Sequence, residues 1–212
     1  MNEQLERIKN KIEQIKLLDV NCTLFGSNKH KYQLNPILSE TEIRNFEITH
    51  NVTLPSEYIE FLTKIGNGGA GPFYGLEKFE NALFDDLDYK RPNSLLNPSE
   101  PFPHQEPWNL EFKPTVSEKN KEEYEKQYFE FSKDLMNGVI AICNYGCGIS
   151  LNLVVNGEEY GNIWSDHRGN DGGICPSFEL ENKGKITFLN WYELWLDNSF
   201  KEISAKTAGN KV

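Results

Sequence analysis

Leu5, Ile8, Ile12 and Ile15 recur at steps of three and four, which predicts an amphipathic helix over residues 2 to 17 with a charged outer face. Ser39 followed by Glu42 forms a capping box for a second helix, whose inward stripe is Ile43 and Phe46. Tyr58, Phe61, Leu62 and Ile65 give a third stripe, with Pro55 in its first turn and Gly66 at its exit. A closing helix is predicted over residues 190 to 199, with Trp191, Leu194 and Trp195 facing inward. The last dozen residues are polar and read as a frayed tail, 201–212.

Between these helices the period changes to two. Val139 to Cys143 is a solid apolar run, the pattern of a strand covered on both faces. After a corner at Tyr145-Gly146-Cys147-Gly148, Ile149, Leu151, Leu153 and Val155 alternate with Ser150, Asn152 and Val154 as in a half-buried strand. Asn156-Gly157 is a strong two-residue hairpin signal. With those residues as the turn, Leu153 faces Tyr160 and Ile149 faces Trp164 on one apolar side. Ser165 to Gly173 reads as a polar loop, and Ile186-Thr187-Phe188 as a short strand.

From about 81 to 137 regular structure is interrupted. Pro92, Pro98, Pro101, Pro103, Pro107 and Pro114 fall in a polar, acidic stretch that ends in a helix around Ser117 to Leu135, with Tyr124, Tyr128, Phe131 and Leu135 as its stripe. This block reads as an insertion without a core of its own, on a single domain of residues 1–200. The fold class expected is α+β.

Composition narrows function. The net charge of -10 disfavours nonspecific nucleic-acid binding and suits a basic partner. No membrane partner is expected, and the four cysteines fit reduced thiols in a cytoplasm. Cys143, Cys147, His167 and Cys175 are zinc-type ligands, but Cys143 ends an apolar run and Cys175 lies beside Ile174 and Pro176, so buried thiols are expected and no metal or cofactor. The glycines of Gly66-Asn67-Gly68-Gly69 leave a helix and lack the lysine of a phosphate loop, so a turn is expected. Asp166-His167-Arg168 with Asp171 is the densest polar cluster. No serine or cysteine near it is marked as activated, so no catalytic residue is assigned. Asp85, Asp86 and Asp88, with Glu158 and Glu159 at the expected hairpin tip, are the candidate partner-binding acids.

Three segments together resemble the SUKH superfamily, its Smi/Knr branch in particular. They are Leu54 to Leu62 followed by Gly66-Asn67-Gly68-Gly69, Gly161 to Asp166, and Ile186 to Leu196. Pro55, Tyr58, Gly68, Trp164, Asp166 and Trp191 stand in these motifs as structural positions, Trp164 and Trp191 in the core and Asp166 anchoring its loop. The resemblance implies a curved, mainly antiparallel sheet with flanking helices. It also implies a binding role, since many bacterial members look like immunity proteins that neutralise polymorphic toxins, and fungal relatives are linked to cell-wall synthesis signalling. The expectation is an intracellular immunity protein that binds a basic toxin domain without catalysis. A regulatory scaffold is the alternative, and a hydrolase using the 166–171 loop the second alternative.

Overall fold

The computed structural model describes residues 3–209. Among these residues six α-helices and four strands are formed: α1 Glu3–Leu18, the short α2 Ser27–His30, α3 Glu40–His50, α4 Ser56–Lys64, α5 Lys121–Ser132 and α6 Phe188–Gly209, with β1 Val139–Gly146, β2 Ile149–Val154, β3 Ile163–His167 and β4 Gly173–Pro176. The strands form one antiparallel sheet in the order β1-β2-β3-β4, so the chain is an α+β domain.

Each face of the sheet has its own core. Ile140, Ile142, Leu151, Leu153 and Ile163 point to the side covered by α1, α4 and α6, against Leu5, Ile8, Ile12, Phe61, Tyr192 and Leu196. Val139, Ala141, Val154, Trp164 and Ile174 point to the other side, where Leu87, Leu96, Phe102 and Met136 cover them. The proline-rich segment therefore supplies half of a shared core. That cover changes the reading of β2: all six of its residues are buried, including the polar Ser150 and Asn152, so it is not a half-buried strand. Both sheet edges are also closed. Ala141 N–H donates to the Ala82 carbonyl at 2.8 Å, and Trp108 and Ile174 exchange two backbone bonds of 2.8 and 2.7 Å.

The hairpin register differs from the expectation. Leu153 pairs with Ile163 and Asn152 with Trp164, which turns Trp164 to the face opposite Leu151 and Leu153 and leaves Tyr160 outside the sheet. The cause lies at Asn156-Gly157. Only Gly157 has positive φ, at 109°, and a Cβ there would meet Phe102 N at 2.9 Å, while Asn156 Nδ2 donates to the Ser99 carbonyl at 2.7 Å. The pair docks the proline-rich segment, and β2 reaches β3 through a wider connection. The tight turn is instead Cys147-Gly148, between the paired Gly146 and Ile149, with φ of 55° and 73°. Positive φ at both central residues is what a type I′ turn requires.

Other boundaries shift for local reasons. Ser165 to His167 belong to β3 rather than to a loop, because Ser165 and Asp166 pair with Cys175 and Ile174 of β4. Ile186 to Phe188 is no strand: Thr187 makes a single bridge to Asn162, and Phe188 begins α6. Pro55 is the N-cap of α4, its carbonyl receiving the amides of Tyr58 and Ile59. The capping box at Ser39 and Glu42 is formed as expected. Helix α6 runs well past Ser199, so residues 201–209 of the expected tail are helical, and 210–212 lie outside the described residues.

Candidate functional site

The loop after Phe84, the β1–β2 turn, the end of β3 and one wall of α5 enclose an open cleft of about 410 Å³. Asp85, Asp86 and Asp88 line it together with Asp166 and Arg168, so the acidic run and the polar cluster, distant in sequence, share one place. Position follows from local bonding. Asp86 Oδ1 accepts the amides of Asp88 and Tyr89 at 2.9 and 3.1 Å, which folds the acidic loop on itself. Asp88 then fastens that loop to the β1–β2 turn, accepting from Asn144 Nδ2 at 2.7 Å and from Gly148 N at 3.3 Å.

Arg168 is the floor of the cleft. Its Nε and Nη2 donate to the two Asp166 oxygens at 2.9 and 2.7 Å, and Nη2 also reaches Asp85 Oδ1 at 3.2 Å. Burial opposes the charge on the guanidinium, but Asp166 and Asp85 overcome it and hold the group protonated. Burial raises the Asp85 carboxyl, reinforced by Asp166 and Asp86 and opposed by Arg168. Four carboxylates thus line the cleft with one guanidinium, which two of them contact. The opposite wall is apolar: Phe129 is 61% and Tyr128 48% exposed, and α5 has no buried residue. Tyr128 and Arg168 also border a neighbouring groove lined by Trp108, Phe112 and Phe131. Tyr128 stood in the stripe expected to face inward, and nothing in its spacing distinguished it from a core residue. Its exposure is a property of where α5 rests.

The other expected residues separate into distinct roles. Glu158 is exposed in the β2–β3 connection, at the far end of β2 from the cleft, on the order of 15–20 Å along the strand. Glu159 is buried, where it accepts from Trp164 Nε1 at 3.4 Å and pairs with Lys185, which corrects its assignment to the surface. Trp164 packs edge-on to Phe102 at 4.9 Å, and Trp191 is fully buried. Tyr58 meets Phe188 edge-on at 4.9 Å. Gly68 has φ of 72°, and a Cβ there would lie 2.3 Å from the Glu77 carbonyl oxygen, so only glycine fits. Asp166 anchors its loop by accepting the Arg168 amide at 3.0 Å.

The His167 to Asp171 chemistry does not converge. His167 Nε2 bonds Glu179 Oε1 at 3.0 Å, and the Ser177 hydroxyl donates to Glu179 rather than to the imidazole. His167 is thereby bonded to a carboxylate rather than to a hydroxyl that it could activate. Asp171 caps the turn after Arg168, its carbonyl accepting from Asn109 at 3.0 Å. Cys143 is buried and bonds the Pro72 carbonyl at 3.2 Å, whereas Cys147 is exposed at the turn. Among the described residues no three histidine, cysteine or carboxylate side chains are grouped to hold a metal, and no helix is long and apolar enough to cross a membrane.

No curated protein and no solved structure matches the chain. The model of the SMI1 / KNR4 family (SUKH-1) matches residues 37–202, from just before α3 into α6 and through the whole sheet and cleft. With most of its length matched, the chain belongs to the SMI1 / KNR4 family (SUKH-1).

Proposed function

We propose that this protein is an intracellular immunity protein that binds a cognate basic toxin domain in the cytoplasm and blocks it without catalysis of its own. Family membership supports a protein-binding role, and the observation that carries the finer reading is the cleft. There Asp85, Asp86, Asp88 and Asp166 outnumber Arg168 beside exposed aromatic rings of α5. Such a surface offers what a protein interface uses, namely charge to guide encounter and aromatic area to hold the complex. Glu158 contributes only to the long-range field of the acidic molecule.

Co-expression tests the reading. A toxin encoded beside this gene should kill cells alone and be tolerated when this chain is present, and the purified pair should associate. Continued killing, with no association of the purified pair, would put the regulatory scaffold in its place.

A further inference from the structure

We propose that the binding face continues across the Cys147-Gly148 turn onto an aromatic patch, and that the whole face takes a protein segment in which an apolar side chain stands beside an arginine or lysine. This deepens the immunity reading and rests on it.

Phe25 is 56% and Tyr74 37% exposed, although the molecule has two cores in which such rings could be buried. They are mutual neighbours, with centroids 5.3 Å apart, and Phe25 also meets Phe73 at 6.3 Å and Tyr145 at 6.2 Å. Beneath them Phe73 and Tyr145 touch at 4.5 Å, and Phe73 packs into the main core. The exposed rings therefore stand on a fixed base. Aromatic anchors on such a base lose little conformational freedom when a partner covers them, which is why they recur as interface hot spots.

The patch and the acidic cleft meet at one turn. A Cβ on Gly146 would lie 2.8 Å from the Tyr74 ring, so Tyr74 rests directly on the strand end. Two residues away, Asp88 holds Gly148 and Asn144 from the other side. Tyr145 is the unpaired residue of a β-bulge, the device that bends a strand end and redirects a side chain. The backbone here is also held in the left-handed region at two non-glycine residues, Phe73 and Cys147, both with φ of 55°.

Charge selects the occupant. Asp88 holds Asn144 and Gly148 of the turn on which Tyr74 rests, and Asp86 lines the cleft beyond it, whereas Lys29 lies over the Tyr74 ring at 5.0 Å. A segment with its basic residue over these acids brings an adjacent apolar residue to Phe25 and Tyr74.

Three short capped peptides test this by amide chemical-shift titration of the whole chain: alternating arginine and leucine, arginine and serine, and glutamate and leucine. The arginine–leucine peptide should perturb Tyr145 to Ile149 together with Phe25 and Tyr74, and bind about tenfold more tightly than either control. Phe25→Ser and Tyr74→Ser should each weaken it about tenfold, while Asp86→Asn should weaken it and blunt its salt dependence. If a serine variant loses its fold, the comparison of peptides on the unaltered chain still decides. No binding, binding mapped elsewhere, or equal affinity for arginine–leucine and a control would overturn the proposal. The assay contains no toxin, so its failure is separate from that of the co-expression test.

Discussion

Asp86 and Asp166 carry the same charge in one cleft, yet their surroundings give them different work. Asp166 is buried and holds Arg168 by two bonds of its side chain. Asp166→Ala would leave Arg168 with Asp85 alone, so it should cost about 2–3 kcal/mol in a denaturant titration. Asp86 is only half-buried and accepts backbone amides that an asparagine can also satisfy. Asp86→Asn should therefore change stability by less than about 0.5 kcal/mol, while still removing a charge from the face. Gly157 belongs with the structural residues. At φ of 109° and with Phe102 N in the way, Gly157→Ala should destabilise by about 1–3 kcal/mol, and a smaller loss would show that the 99–102 segment yields.

At the scale of elements, the stripes of α1, α3, α4 and α6 were legible because each faces a single core, whereas the stripe read in α5 is not buried. The prediction from Leu5, Ile8, Ile12 and Ile15 gave α1 with its C-terminal end one residue short of Leu18, since all four residues are buried in one direction; residue 2 of the predicted span lies outside the described residues. The hairpin was not legible in this way. Asn-Gly spends its conformational freedom on docking Ser99 and Phe102, a contact across 57 residues for Asn156 that no local pattern displays. The two-sided burial of β2 was hidden likewise, because its cover comes from the proline-rich segment. In the site, the acids at 85, 86 and 88 and the cluster at 166–168 could be named from sequence. Their meeting, through the Asp85–Arg168 contact, could not.

The clamp between α1 and α6 is another such contact, and it predicts a pH dependence. Arg7, Lys11 and Gln4 of α1 all donate to Glu193 of α6. Burial alone would raise that carboxyl, but these bonds overcome it and hold the group at about 2. The folded pKa lies below the ordinary 4.5, so the stabilisation is complete above pH 4.5 and is lost as pH falls toward 2. His30 adds an earlier window. Burial lowers its imidazole from 6.5 to about 4, against the opposing pull of Asp19, so an unfolded chain takes up a proton that the folded one refuses as pH drops through that range. Thermal melts should show Glu193→Gln flattening the loss between pH 4.5 and 2 without altering that between 6.5 and 4. The reverse pattern would reassign the acid sensitivity to other groups.

At the scale of the whole molecule, a net charge of -10 would draw the proposed basic partner from a distance, and the cleft concentrates part of that charge beside exposed aromatic rings. Long-range attraction decays over a Debye length of about 8 Å at physiological salt, so it governs encounter, while close contacts govern residence. The edges of the sheet meet Ala82 and Trp108, so the proposed complex relies on side chains rather than on strand addition. The most direct test of this account is the association rate of the neighbouring toxin, rendered inactive, with the unaltered chain and with Asp86→Asn at low and high salt. The account predicts that salt slows association of the unaltered chain steeply, that Asp86→Asn lowers the rate at low salt, and that dissociation hardly changes. Association that is insensitive both to salt and to Asp86 would contradict it.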